Sequence, residues 1–306
     1  MLTIEVARVT EAAAIAAAGW RGRGDERQAD QAAFDAMRRA LESVAAMDGL
    51  AILDGEGEAS ILYIGEGTDE KTARIEIALA PLEGATLCAK AMPDAISCIA
   101  LAEGGSLLHA PRVYMDKIAI GGGYPKGVVD LDVPPEENIL SLARAKNVTP
   151  SRLTACILDR PRHAELIAAV RRTGASVRLI SDGDVAGVIH TADPEETGID
   201  IYLGTGGAPE GVLAAAALRC IGGQMQARLV ADRARPGDRR GAERKYSLEE
   251  LASGDIMFAA TGVTDGSLLD GVRYEAGEIL TETVVMRSAT GTVRSIKTRR
   301  KSGAIA

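Results

Sequence analysis

Carboxylates beside glycines recur along this chain, and they are its strongest hint of chemistry. They stand at Asp54-Gly55-Glu56-Gly57-Glu58, Ile64-Gly65-Glu66, Pro81-Leu82-Glu83-Gly84 and Gly206-Gly207-Ala208-Pro209-Glu210-Gly211. Acids clustered on glycine-bearing turns suit a hard divalent cation, because Mg²⁺ and Mn²⁺ take oxygen ligands and the ion offsets the repulsion between carboxylates. A solvated acidic turn is the alternative for any one of them. Arg160 and Arg162 fall between a strand and a helix, where an arginine pair beside a helix N-terminus suits an oxyanion. Pairing with surface acids explains that spacing equally well. Asp182 and Asp184, at the next strand end, suit a cation or the hydroxyls of a ligand. Asp25 and Asp30 lie at or before a helix start, where capping alone accounts for them.

The elements that must hold these groups follow from periodicity. Residues 3–18 form an alanine-rich helix. A second helix begins near Asp30, with Phe34, Met37, Leu41 and Val44 on one face, and ends at Asp48-Gly49. A short strand over 50–53 delivers the first acidic run. Ile75, Ile77 and Leu79 alternate as a strand that Pro81 stops, and Gly84 frees the turn that follows. Strands over 96–100 and 106–109 pair as a hairpin through Glu103-Gly104-Gly105, with His109 as a structural histidine. Tyr114 reads as a half-buried strand aromatic. Past Pro134-Pro135, helix 136–146, strand 153–158, helix 163–172, strand 177–180 and strand 199–203 alternate, which implies layered α/β structure. Loops after such strands are where ligands usually sit. Pro209 fits a first helical turn, and Glu210 lies where the helix dipole favours an anion. Residues 231–245 read as a charged surface loop, 256–260 and 283–293 as final strands, and 297–301 as a solvated basic tail.

Composition narrows the possibilities. A chain of 306 residues that is 46% hydrophobic and only 3% aromatic, with 34 glycines, builds its core from Ala, Val, Ile and Leu and turns often. That favours α/β layers. A net charge of −8 argues against nucleic acid or an anionic membrane as main partner. Cys88, Cys98, Cys156 and Cys220 show no Cys-x-x-Cys spacing and sit in apolar runs, so they are expected to be buried and reduced. The opening Met1-Leu2-Thr3-Ile4-Glu5 lacks a basic leader and no apolar run is long enough to span a bilayer, so the expected location is the cytoplasm. The Gly121-Gly122-Gly123 run lacks the helix-opening context of a dinucleotide fingerprint.

Over nearly its whole length the chain resembles the bacterial class II fructose-1,6-bisphosphatases, members of the lithium-sensitive phosphatase superfamily. The most specific pieces are Gly55-Glu56-Gly57-Glu58, Tyr114-Met115-Asp116-Lys117, Leu158-Asp159-Arg160-Pro161-Arg162-His163, Asp182-Gly183-Asp184-Val185-Ala186 and Gly206-Gly207-Ala208-Pro209-Glu210-Gly211. The resemblance implies a layered sugar-phosphatase fold, an αβαβα sandwich of two sub-domains with the site between them, taken here as 1–150 and 151–306. It implies gluconeogenic hydrolysis of fructose 1,6-bisphosphate with Mg²⁺ or Mn²⁺, in a homo-oligomer. Asp30, Glu56, Glu83 and Glu210 would hold metal. Gly84, Tyr114, Arg160, Arg162, Asp182, Asp184 and Gly207 would hold substrate.

The central motif departs from the family. Its usual Asp-Pro-Leu-Glu-Gly-Thr reads Ala80-Pro81-Leu82-Glu83-Gly84-Ala85, so a metal ligand and a water-activating hydroxyl are replaced by methyl groups. Glu83 survives, and Thr86 is the nearest hydroxyl; these two are the expected catalytic residues. After Glu58 the chain is also about three residues shorter than the family's acidic run. Weakened catalysis is therefore expected. The alternatives are a non-catalytic sugar-phosphate binder, or a phosphatase for sedoheptulose bisphosphate or an inositol-type phosphate.

Overall fold

The computed structural model describes residues 2–47, 51–54, 61–65, 75–230 and 244–301. Two compact units emerge, Met1–Ser106 with Gly254–Ala306, and Leu107–Ser253. The division differs from the expected 1–150 and 151–306, because the C-terminal strands complete the sheet begun by the N-terminal ones.

Helix α1 (Leu2–Ala18) buries Val6, Val9, Ala13 and Ala17, spaced three or four apart on one side. Helix α2 (Glu26–Met47) starts earlier than expected, since Asp25 Oδ1 accepts the Gln28 N–H at 3.0 Å and caps it. Asp30 is thus already in the second turn. The buried stripe of α2 is Ala29, Ala33, Met37 and Leu41, whereas Phe34, expected on that face, is exposed. Strands β1 (Ala51–Asp54) and β2 (Ile61–Gly65) pair antiparallel, so the acidic run carrying Glu56 and Glu58 connects them and lies outside the described residues.

Strand β3 (Ile75–Glu83) does not stop at Pro81. Its pairing with β4 (Ile96–Glu103) shifts register between Ala80, opposite Cys98, and Glu83, opposite Ile96. Proline offers no N–H to a ladder, and a bulge is where a strand can absorb it. Gly84, at φ 86°, then turns the chain into helix α3 (Ala85–Ala89). The expected hairpin of 96–100 with 106–109 does not form. Gly105, at φ 83°, redirects the chain, the Ser106 N–H donates to Glu76 Oε2 at 3.1 Å, and Leu107 forms an isolated bridge to Ala252.

The second unit comprises β5 (Tyr114–Gly121), α4 (Pro135–Lys146), β6 (Thr154–Leu158), α5 (Ala164–Arg172), β7 (Ser176–Ile180), α6 (Asp184–Ile189), α7 (Pro194–Thr197), β8 (Ile201–Gly207), α8 (Ala208–Ile221), β9 (Gly223–Leu229), β10 (Lys245–Ser247) and α9 (Leu248–Leu251). Its sheet runs β10-β9-β5-β8-β6-β7. Strand β6 is parallel to β7 and β8, as the alternation implied, while β5 runs antiparallel to β8 and to β9, a strand not anticipated from sequence. Ile118, Ile120, Ile139, Leu142, Ile157 and Ile201 fill the core on one side of this sheet.

The chain then returns to the first sheet through β11 (Ile256–Gly262), β12 (Arg273–Glu275), β13 (Glu278–Arg287) and β14 (Thr292–Lys301). Strand β11 lies between β4 and β13, and β14 pairs along β13. The stretch 283–293 is therefore not one strand but a hairpin turned at Gly291, φ 57°. The expected basic tail is the end of β14, an arrangement in which lysines and arginines blunt a sheet edge. All four cysteines are free and buried, as expected.

Candidate functional site

In the first unit the expected residues gather at the end of β3. Glu83 is 6% exposed beyond the bulge, and Gly84 adopts a left-handed conformation that a side chain would strain. A Cβ there would also meet Leu87 Cδ1 at 2.8 Å. Ala85 is the first residue of α3 and the half-buried Thr86 the second. The strand-anchored turn thus opens α3 with the Ala85 methyl group. Helix α2 packs against both β3 and α3. On it Asp30 is exposed, yet partial desolvation raises its carboxyl above the ordinary aspartate range.

In the second unit the antiparallel pairing of β5 with β8 sets Tyr114 opposite Gly207, Met115 opposite Gly206, Asp116 opposite Thr205 and Lys117 opposite Gly204. Because side chains alternate, Tyr114, Asp116 and Thr205 share one face, and Met115 and Lys117 the other.

On the first face Arg162 is held twice. Its Nε and Nη2 donate to the Thr205 carbonyl at 3.2 and 2.6 Å, and its guanidinium lies over the Tyr114 ring, 4.8 Å from the centroid. Thr205 is the hub of this face. Its hydroxyl donates to Asp116, and its N–H donates to His163 Nε2 at 2.8 Å. Arg160 is half-buried, and its Nη1 donates to the Asp159 carbonyl at 3.1 Å.

On the other face stands a side chain not singled out from sequence. Lys117 is 1% exposed, and its ammonium pairs with Asp184 and donates to the Gly207 carbonyl at 2.9 Å. Glu210 follows in the first turn of α8, where burial raises its carboxyl above the usual range and the Asp184 carboxylate raises it further. Asp182 Oδ1 accepts the Gly183 N–H at 3.1 Å, and Gly183, at φ 83°, opens α6 with Asp184 as its first residue. The glycines make room: a Cβ on Gly206 would stand 2.0 Å from Asp184 Oδ2, and one on Gly207 1.9 Å from Glu210 Oε2.

Arg162 with Tyr114, and Asp184, Gly207 and Glu210 around Lys117, with Asp182 in the turn before Asp184, are thus brought together within the second unit. Lys117 had one signal in the sequence, since alternation along β5 puts a lone charge between the buried Met115 and Ala119. His163 and Thr205 had none beyond the motif containing His163.

As for a cation, no three His, Cys, Asp or Glu side chains among the described residues converge in one group. Asp30 and Glu83 belong to the first unit, Glu210 to the second, and Glu56 lies outside the described residues. The donor chemistry nevertheless fits a hard divalent ion: all four are carboxylates, and desolvation holds Asp30 and Glu210 above their ordinary ranges, a penalty that a cation offsets.

Helices and two multi-stranded sheets, with carboxylates and an arginine–tyrosine pair at strand ends, make this a layered α/β phosphatase fold. The family model of the bacterial fructose-1,6-bisphosphatases, glpX-encoded, matches residues 1–300, and the chain belongs to that family. It is 41% identical to the D-fructose 1,6-bisphosphatase class 2/sedoheptulose 1,7-bisphosphatase of Synechococcus sp. strain JA-3-3Ab, over 97% of this chain and 94% of that protein. It is 39% identical to fructose-1,6-bisphosphatase 1 class 2 of Escherichia coli K12, over the same shares of the two chains. The family is one of metal-dependent phosphoric monoester hydrolases.

Proposed function

We propose that the chain hydrolyses the 1-phosphate of fructose 1,6-bisphosphate, giving fructose 6-phosphate and phosphate, at a rate lowered by Ala80 and Ala85. The observation that carries this reading is family membership over residues 1–300. The Arg162–Tyr114 arrangement supports it, because a guanidinium fixed by a carbonyl and an aromatic face is preorganised for a phosphate. Arg160 and Arg162 would take the phosphate, with Tyr114 beside Arg162, and Gly84 and Gly207 would hold other parts of the substrate. Asp182 and Asp184 would accept from sugar hydroxyls.

Mg²⁺ or Mn²⁺ would be held by Asp30, Glu56, Glu83 and Glu210, and would supply the charge that polarises the phosphoryl group and stabilises the leaving oxygen. Glu83 and Thr86 are then the chain's remaining groups for orienting water at the central turn. A cytoplasmic homo-oligomer acting on a small anionic sugar, with neither nucleic acid nor membrane as partner, agrees with the acidic composition. No described helix is long and apolar enough to cross a membrane.

A second reading has a specific observation behind it. The Synechococcus relative is named for both fructose and sedoheptulose bisphosphates, so the seven-carbon substrate is the competing choice. Phosphate release is to be measured on both bisphosphates and on an inositol monophosphate, with Mg²⁺, with Mn²⁺ and with chelator. Release from fructose 1,6-bisphosphate that chelator abolishes supports the proposal. Preference for another substrate replaces it, and binding of fructose 6-phosphate without release from any substrate makes the chain a binding relative.

A further inference from the structure

Lys117 is among the largest fully buried side chains of the second unit, and its surroundings are built for it. Its ammonium reaches an α6 side chain, Asp184, and a backbone carbonyl at the end of β8, that of Gly207. A Cβ at Gly206 would approach Lys117 Nζ to 2.9 Å, and one at Gly211 would approach its Cδ to 3.3 Å, so glycine at both positions leaves the channel it occupies open. A buried ammonium is costly unless both its charge and its donors are matched. Here Asp184 matches the charge, and Asp184 with Gly207 takes two donors.

We infer that Lys117 is a positioning residue: it holds the Asp184 carboxylate and the Gly207 turn in the arrangement that receives the sugar, an inference that rests on the proposed sugar-phosphatase function. The residues it ties together come from β5, α6 and the β8–α8 turn, three segments distant in sequence. Without the ammonium, the Asp184 carboxylate faces Glu210 with the compensating charge of Lys117 gone, and the first residue of α6 loses its anchor. Arg162, against the opposite face of β5 and β8, is held by Thr205 and Tyr114 instead, and Arg160 by the Asp159 carbonyl. Lys117 therefore governs recognition of the sugar and leaves the phosphate cradle alone.

That division sets the test, which needs no turnover and no metal. Binding of fructose 6-phosphate and of inorganic phosphate is measured by calorimetry in chelator, on the whole chain and on Lys117→Gln, with circular dichroism reporting the fold. The expected result is a loss of about tenfold in fructose 6-phosphate affinity, with inorganic phosphate within about twofold of the parent. Equal affinities for both ligands overturn the inference, as does a parallel fall in both, which would mark Lys117 as a general support. If Lys117→Gln does not fold, Gly206→Ala answers instead: its methyl displaces the Lys117–Asp184 pair and must produce the same selective loss, and unchanged sugar binding overturns the inference. A parent chain that binds fructose 6-phosphate no better than phosphate overturns the proposed function as well, which sets that failure apart from that of Lys117 alone.

Discussion

His163 Nε2 accepts the Thr205 N–H at 2.8 Å, and this fixes the imidazole tautomer, because Nδ1, 2.7 Å from the Leu158 carbonyl, must then carry the proton. A neutral ring thus splices the loop after β6 to the end of β8. Its pKa is lowered chiefly by desolvation, with Arg162 and Arg160 adding to the effect. A folded imidazole that holds its proton less tightly than an unfolded one makes the unfolded chain the stronger base. Stability from His163 is therefore complete above the unfolded value of about 6.5 and is lost as pH falls towards and through the folded value. Thermal melts at pH 7.5 and 5.5 should show a larger acid-induced drop for the parent than for His163→Gln. The variant should also start about 1–3 kcal/mol less stable, from the unpaired groups it leaves. Equal drops would place the proton uptake elsewhere.

Arg162→Lys separates geometry from charge. A lysine retains the positive charge but cannot chelate the Thr205 carbonyl through two nitrogens or lie flat on Tyr114. The stacking contributes about 0.5–1 kcal/mol at an exposed site and a charge-assisted hydrogen bond about 1.5–3 kcal/mol. The Michaelis constant for fructose 1,6-bisphosphate should rise about tenfold with kcat little changed. A fall in kcat alone would move Arg162 from binding to chemistry.

Much of this arrangement was legible in the sequence. Alternation past Pro134 located β6, α5, β7, β8 and α8, because each carries its own apolar period and its own glycine or proline stop. What escaped was non-local. Strand β4 is apolar at nearly every position, which suits a central strand, but nothing local says that its partners are β3 and β11 rather than residues 106–109. Pro81 reads as a stop until the bulge is seen to absorb it. The basic residues of β14 read as a tail because an edge strand exposes alternate charges much as a solvated segment does. At the site, the acids and arginines were visible as motifs. The lysine between the acids was hidden, since its partners lie 67 and 90 residues away.

Gly207→Ala probes Glu210 without replacing its carboxylate. Gly207 has φ −64°, which alanine adopts freely, so the only conflict is the new methyl 1.9 Å from Glu210 Oε2. The glutamate should swing aside at little cost in stability. Displacing a metal ligand should raise the Mg²⁺ or Mn²⁺ concentration needed for half-maximal activity about tenfold or more. An unchanged metal requirement would remove Glu210 from the ligand set.

Ala80→Asp with Ala85→Thr tests the central turn directly. Ala80 is half-buried at the last regular pair of β3 before the bulge, and Ala85 opens α3 immediately after the left-handed Gly84. Both backbone positions are fixed by neighbours that the substitutions leave in place, so an aspartate and a threonine enter a turn already built. Losses of groups that merely orient metal ligands cost about 10–100-fold, and restoring a direct ligand should return at least that much. Phosphate release by the double variant should exceed the parent's by about tenfold or more. Most of the gain should come from Ala80→Asp, because it adds an oxygen to the cation, whereas Ala85→Thr alone adds a hydroxyl to a site still short of charge. A parent already as fast as the double variant would mean that other oxygens complete the site, with Glu76, buried on the same strand, the first to replace by glutamine.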